Sequence, residues 1–317
     1  MVSPMAKAIV SKNGNKNRVL IVGTVSNVSK SLQADFTSVR DSFSTDFEVF
    51  TYLVESDSSD ETVLSLTKLS SSEKNFHFVS LGELRISIPD RVDRIRFCRN
   101  KYVQFIRENF TTFKWDYIVV ADLDGMNGSL NCEAVRSCFT RLDWDCCLSN
   151  QTGGYYDIFA LRERKWQPGN YFDEVEAQRA KIQNLRLSKF DLLNRIRLIL
   201  LEDQIKKNAI YSKMRRIPRN SNWVAVDSGF GGLAIYKPQV FLNFDYSKVH
   251  NGSRESEHID LHFKMRKEDQ KIFINPNFVN TRWNTYNVNK YFLVRQIRRL
   301  VWGNRTLYGL VRKIKNA

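Results

Sequence analysis

The strongest constraint on how this chain can fold is the alternation of short apolar runs with helix-periodic segments across residues 1–125. Arg18-Val-Leu-Ile-Val-Gly23 has the apolar run and terminal glycine of a buried strand, and residues from Ser29 to Phe43 follow it with helical spacing. A second strand is predicted at Phe47–Val54, then a Ser/Asp/Glu-rich turn, a short helix and a third strand at Phe76–Leu81. Arg91–Phe110 reads as a helix, with Val92, Ile95, Cys98, Tyr102, Phe105 and Ile106 on one face and Pro89-Asp90 as its start signal. A fourth strand, Trp115–Ala121, runs into Asp122-Leu-Asp-Gly125. Strands that alternate with helices form a mostly parallel, doubly wound α/β sheet, and such sheets bind ligands beyond the carboxyl ends of their strands. The acidic triplet falls at such an end.

The second half is less regular. Strands are expected at Asp145–Ser149, Tyr156–Leu161 and Lys271–Val279, and a long helical stretch, basic in its later part, at Phe172–Arg215. Asp227-Ser-Gly-Phe-Gly-Gly232 is a glycine-rich bend before another short strand. With neither a repeat nor a linker in view, residues 18–281 read as one composite unit between a polar leader, 1–17, and a basic amphipathic segment, 282–317.

Acid-x-acid triplets recur in the chain, as at Asp143-Trp-Asp145. Asp122-Leu-Asp124 differs by its place: it ends a strongly apolar strand and is followed at once by Gly125. Two carboxylates there offer hard oxygen ligands to Mg2+ or Mn2+, with diphosphate oxygens completing an octahedron. Such a metal would neutralise the charge that builds on a leaving nucleoside diphosphate.

Tyr117-Ile-Val-Val-Ala-Asp-Leu-Asp-Gly125 resembles the Asp-x-Asp element of GT-A-fold glycosyltransferases. Arg94-Ile-Arg-Phe-Cys-Arg-Asn-Lys101 is similar to the helix that precedes it in that superfamily, and Val226–Tyr236 to the glycine-bearing acceptor segment. Glu257-His-Ile-Asp-Leu-His262 with Lys271-Ile-Phe-Ile-Asn-Pro276 looks like the region that holds a carboxylate and a late metal-binding histidine. In this order the motifs resemble bacterial capsule or lipopolysaccharide transferases and, more distantly, fungal capsule-associated mannosyltransferases, over roughly residues 18–280. The resemblance implies a nucleotide-binding half, 18–125, and an acceptor half, 126–281. It implies a nucleotide-sugar donor and a glycan or lipid-linked glycan acceptor. Asp124 would be the direct metal ligand, Asp122 would hold the donor ribose or a metal-bound water, and His262 would be the third protein ligand.

His258 and His262, four residues apart, also leave open a two-histidine zinc site. If the reaction inverts, Glu257 would be the general base, with Asp260 and Asp227 competing for that role. Gly231 and Gly232 would let the backbone approach an acceptor closely. Gly23 and Thr24 would border the nucleobase, and Arg94 and Arg99 would pair with the diphosphate.

The formal charge of +15 favours polyanionic partners. From Arg282 onward the chain is basic without a single Asp or Glu, and Phe292, Ile297, Leu300 and Trp302 interleave as on a membrane-surface helix. Packing of that stripe on the core is the alternative; no nucleic-acid motif is recognisable. Met1–Arg18 lacks the apolar region of a signal peptide, the five cysteines lack CxxC spacing, and sequons at Asn127 and Asn150 fall in the region of the expected active site, where glycans would obstruct it. These features lead us to expect a cytoplasmic enzyme, peripheral on the inner membrane face. A nucleotidyltransferase of related fold and a non-enzymatic basic membrane- or nucleic-acid-binding protein are the rival readings. The first would need a Gly-rich phosphate loop that Gly23-Thr-Val-Ser-Asn-Val lacks.

Overall fold

The computed structural model describes residues 16–183, 192–249, 255–284 and 287–290, so most of the leader and of the basic C-terminal segment lie outside the described residues. Strand β1 (Asn17–Val25) is followed by helix α1 (Leu32–Ser44), β2 (Phe47–Glu55), α2 (Thr62–Ser72), β3 (Phe76–Ser80), α3 (Arg91–Phe113) and β4 (Tyr117–Ala121). Beyond the acidic loop come α4 (Cys132–Ser137), β5 (Cys146–Gln151), α5 (Tyr171–Gln183), α6 (Leu192–Ala209), β6 (Val224–Ala225), β7 (Leu233–Tyr236), α7 (Gln239–Asn243), α8 (Glu257–Lys267) and β8 (Ile272–Thr281).

The strands form one eight-stranded sheet in the order β3-β2-β1-β4-β7-β5-β8-β6. All but β6 and β7 run in the same direction, so the expected mostly parallel α/β sheet is observed, with its antiparallel strands confined to the second half. Helices cover both faces, and the central strands are buried on both, which is why they read as near-continuous apolar runs. Along β1 the side chains alternate: Leu20 and Val22 join the core under α3, while Val19 and Ile21 join the core under α1. In β4, Ile118 and Val120 face the first core, Val119 and Ala121 the second. Each of these Val, Leu and Ile side chains contributes about 1.5–3 kcal/mol on burial.

Helix α3 begins where Pro89-Asp90 predicts. The Asp90 carboxylate accepts hydrogen bonds from the Val92 and Asp93 amides at 2.8 and 3.0 Å. Its buried face differs from the apolar stripe, because Arg96 and Arg99 are buried beside Cys98, Tyr102, Val103 and Ile106. Both arginines are matched by carboxylates from α8, a pairing that hydrophobic periodicity does not register.

Two expectations are corrected. Tyr156–Leu161 is a turn, not a strand. Asp157 closes it, its side chain accepting from the Ala160 amide at 3.2 Å and its carbonyl from the Leu161 amide at 3.2 Å, which draws this backbone out of any ladder. The helical stretch at 172–215 contains two helices, α5 and α6, and a short 3-10 turn at Tyr211–Lys213. Among the described residues, no helix is long and apolar enough to cross a membrane.

Candidate active site

A cleft of about 500 Å3 opens beyond the carboxyl ends of β1, β2 and β4. Thr24 and Val25 from β1, Ser56 and Asp57 after β2, and Asp122, Leu123 and Asp124 after β4 line it. Arg91, Arg94 and Arg99 of α3 close one side, and Tyr156, Asp157 and Phe159 the other; Phe230, Glu257 and His258 stand at the back.

The acidic loop is shaped from behind. The buried Asp35 carboxylate, in the first turn of α1, accepts the amides of Gly125, Met126 and Asn127 at 2.6, 3.0 and 3.3 Å. Ser31 Oγ donates to the Leu123 carbonyl at 3.0 Å, and Asn127 Nδ2 to the Asp122 carbonyl at 2.7 Å. The loop is therefore built around an internal anion, with Asp122 and Asp124 directed outward from it. On the other side the glycine bend holds it. The Asp122 amide donates to the Gly232 carbonyl at 2.9 Å, and the neighbouring Gly231 carbonyl accepts from Ser149 Oγ, Gln151 Nε2 and Asn280 Nδ2, each at 2.9 Å. Gly231 and Gly232 have φ of +76° and +83°, which a side chain would strain.

Burial, more than the nearby arginines, sets the electrostatics of the floor. Desolvation pushes Asp122 up to about 7, against the pull of Arg99 at 3.4 Å and with further upward pushes from Asp124, Glu257 and Asp157. Its side chain keeps 31% of its area open, so an incoming ligand can still reach it. Asp124 is raised by desolvation and then by Asp35. Carboxylates held together in this state are the environment a divalent cation relieves. Asp157 is pushed up to about 6, chiefly by desolvation.

The residues expected from sequence are distributed as follows. Asp122, Asp124, Thr24, Arg94, Arg99 and Glu257 line the cleft together. Arg99 is already engaged: Nε donates to Glu257 at 2.8 Å, Nη1 to Tyr102 at 3.2 Å, and its guanidinium lies 5.3 Å from the Phe230 ring centre. Arg94 donates to the Ile88 and Pro89 carbonyls and lies 3.4 Å from Asp57. Gly23 is a packing residue, since a Cβ there would stand 2.4 Å from the Ala121 carbonyl oxygen. Gly231 and Gly232 sit behind the loop and outside the cleft lining.

Asp227, Asp260 and His262 are not brought to the cleft. Asp227 is exposed in a separate groove, 3.2 Å from Arg266. Asp260 is buried against Arg96 at 2.5 Å and accepts the Val249 amide at 3.0 Å, a structural pairing. His262 does share a helical face with His258, but that face turns into the core. Its ring is fully buried, with Nδ1 3.0 Å from Ser228 Oγ and Nε2 3.0 Å from the Tyr236 hydroxyl, and burial lowers it to about 3. With both nitrogens engaged, neither a third metal ligand nor a two-histidine zinc site is assembled there. His258 is the histidine on the cleft wall, stacked on Phe230 at 3.9 Å, and neither of its ring nitrogens has a hydrogen-bond partner among the described residues. Among the described residues no three His, Cys, Asp or Glu side chains gather closely enough to hold a metal by themselves.

Sequence reasoning missed Asp35 and Asp157. The first looks like an ordinary acid in a helix's first turn. The second was hidden inside a stretch read as a strand.

No protein-family model matches the chain, and no curated protein matches it. Among solved structures it is similar to the mannosyltransferase PcManGT from Pyrobaculum calidifontis in complex with GDP-Man and Mn2+, with 12% identity, a TM-score of 0.45, and coverage of 92% of this chain and 64% of that one. It is also similar to residues 1–349 of S. aureus TarS, with 12% identity, a TM-score of 0.39, and coverage of 81% and 57%. A third likeness is to glucosyl-3-phosphoglycerate synthase from Mycobacterium tuberculosis with Mn2+, UDP and phosphoglyceric acid, with 12% identity, a TM-score of 0.37, and coverage of 89% and 72%. The chain spans less than two thirds of the length of the first two. Likenesses of this order carry no residue correspondence.

Proposed function

We propose that this chain is a metal-dependent glycosyltransferase of the GT-A type that moves a sugar from a nucleotide-sugar to a hydroxyl of a glycan or glycolipid in surface-polysaccharide synthesis. The observation that carries the reading is the pair Asp122 and Asp124 at the end of β4, on the floor of a cleft whose rim bears Arg91 and Arg94. Cleft, carboxylates and cations together suit a diphosphate bridged to a divalent ion.

The residues fit Mn2+ or Mg2+. Two hard carboxylates whose proton affinity is raised by burial would hold the ion with the donor's phosphate oxygens, the arrangement in which such ions need few protein ligands. The ion would supply charge neutralisation on the departing diphosphate. Arg94, steadied by Asp57 and the Ile88 and Pro89 carbonyls, would face the nucleotide, while Thr24 and Ser56 would border its base and ribose. Arg99 would act as a brace, fixing Glu257 and Asp122 relative to each other. Phe159 and Phe172, which also line the cleft, would contact a sugar acceptor. The basic residues from Arg282 onward, outside the described part beyond Lys290, would hold such an enzyme on an anionic cytoplasmic leaflet beside a lipid-linked acceptor.

The test is a thermal-shift screen of nucleotide-sugars with and without Mn2+, followed by turnover with the donor that binds. The right donor raises the melting temperature by mass action, and more so with the ion. Asp124→Asn is expected to lower kcat/KM by roughly 100-fold or more, on the scale of losing an electrostatic stabiliser of the transition state. Full metal-dependent activity in that variant would remove Asp124 from the site.

A further inference from the structure

Resting on the glycosyltransferase reading, the geometry points to Asp157 as the general base that activates the acceptor hydroxyl. In the step we propose, the acceptor oxygen forms its bond to the donor's anomeric carbon while the bond from that carbon to the diphosphate oxygen breaks. The hydroxyl proton passes to an Asp157 carboxylate oxygen, and the electron pair of the broken bond leaves with the nucleoside diphosphate. The proton then passes to solvent through the open side of the cleft. Direct displacement of this kind inverts the anomeric configuration.

The assignment follows from which cleft carboxylate is left without a guanidinium or ammonium partner and outside the proposed metal pair. Asp57 is held by Arg85 and Arg94. Glu255 lies 3.1 Å from Arg162, and Glu257 lies 2.8 Å from Arg99. Asp122 and Asp124 are the pair facing the ion. Among the described residues, Asp157 is the one remaining cleft carboxylate, and no Lys or Arg pairs with it. Its contacts are single backbone donors, Ala160 to Oδ1 at 3.2 Å and Gly231 to Oδ2 at 3.1 Å, and each oxygen keeps a lone pair.

Those contacts also fix its position. Gly231 donates to Asp157, and the adjacent Gly232 carbonyl accepts from the Asp122 amide, so base and metal pair hang from one bend. A general base has to stand within hydrogen-bond reach of the hydroxyl it deprotonates, and a shared anchor keeps that distance constant. Phe159, two residues on, also lines the cleft.

Desolvation pushes the Asp157 carboxyl up to about 6 against its two amide donors; Glu257 from α8 raises it further and Arg99 from α3 lowers it. Asp122 faces it from the end of β4, and Tyr155 and Arg162 from its own loop.

The experiment uses the full chain with its nucleotide-sugar and Mn2+. Asp157→Asn is expected to lower kcat by roughly 100- to 10,000-fold, with donor KM and nucleoside-diphosphate affinity held within about twofold. Asp157→Glu should recover part of the rate. Wild-type product of inverted configuration, read by NMR, supports the proposal without any variant. Retained configuration overturns it, as does an Asp157→Asn enzyme that keeps its kcat or that loses donor KM alone, the sign of a sugar-hydroxyl ligand. If the wild type turns over no nucleotide-sugar at all, the transferase reading falls and the base with it. A turning-over wild type beside an equally fast variant removes only the base.

Discussion

A single missing methyl decides how β1 and β4 meet. Gly23 lies where the Ala121 carbonyl oxygen would be 2.4 Å from any Cβ, with Leu53 Cδ2 at 3.5 Å behind it. The nearer atom is backbone and cannot swing away. Gly23→Ala should therefore cost about 1–3 kcal/mol through forced strand separation, read as a lower urea midpoint at unchanged m-value. If Asp122 holds the proposed ion, the same variant should also weaken Mn2+ binding, because Ala121 leads directly into Asp122. From sequence the glycine looked like a nucleobase neighbour; the strand pairing gives it a packing role instead. The place of Asp122 and Asp124 at a strand end was legible because an apolar strand announces its own end. The place of Asp157 in the cleft lining was not, because a turn closed by its own side chain brings it there and a local apolar pattern does not register that.

Among the elements, α3 and α8 are joined through charge. Arg99 reaches Glu257 and Asp122, and Arg96 reaches Asp260, so two buried guanidiniums tie one helix to the other and to the end of β4. Breaking a buried pair from one side leaves an uncompensated charge. Arg99→Leu is expected to destabilise by about 3–5 kcal/mol, measurable by urea denaturation, whereas Arg99→Leu with Glu257→Gln should recover part of that loss. A result near zero for the single variant would show that these groups rehydrate freely. The same charges explain a limit of periodicity. The stripe Val92, Ile95, Cys98, Tyr102 correctly found the helix, but the helix rotates its arginines inward once acids on α8 receive them. Likewise the i, i+4 spacing of His258 and His262 was sound, yet the two rings have different surroundings. One is pinned between Ser228 and Tyr236, and the other borders the cleft.

Across the whole molecule, the alternating first half was readable as a sheet because its central strands, β1 and β4, are buried on both faces and the pattern repeats locally. The second half was less readable because β7 inserts between β4 and β5, and β8 between β5 and β6; such long-range neighbours leave no local signature. The net charge of +15 belongs to this scale too. If the basic segment beyond Lys290 serves as a membrane surface element, removing residues 291–317 should weaken co-sedimentation with anionic vesicles several-fold. Each basic side chain near such a surface contributes about 1 kcal/mol. Turnover on a soluble acceptor should remain. Equal vesicle binding by the shortened chain would move the docking surface to the folded part.

The internal carboxylate of Asp35 has a kinetic corollary. Its oxygens already hold the Gly125, Met126 and Asn127 amides, so the loop's ordering entropy is spent when the chain folds and not when an ion arrives. On the proposed metal-dependent reading, ion capture would leave the backbone in place, and the rate of entry would be governed by how readily the ion gives up its own water. Mg2+, which dehydrates reluctantly, should load more slowly than Mn2+. That contrast would be a property of the two hydration shells, while the protein presents both with the same finished surface.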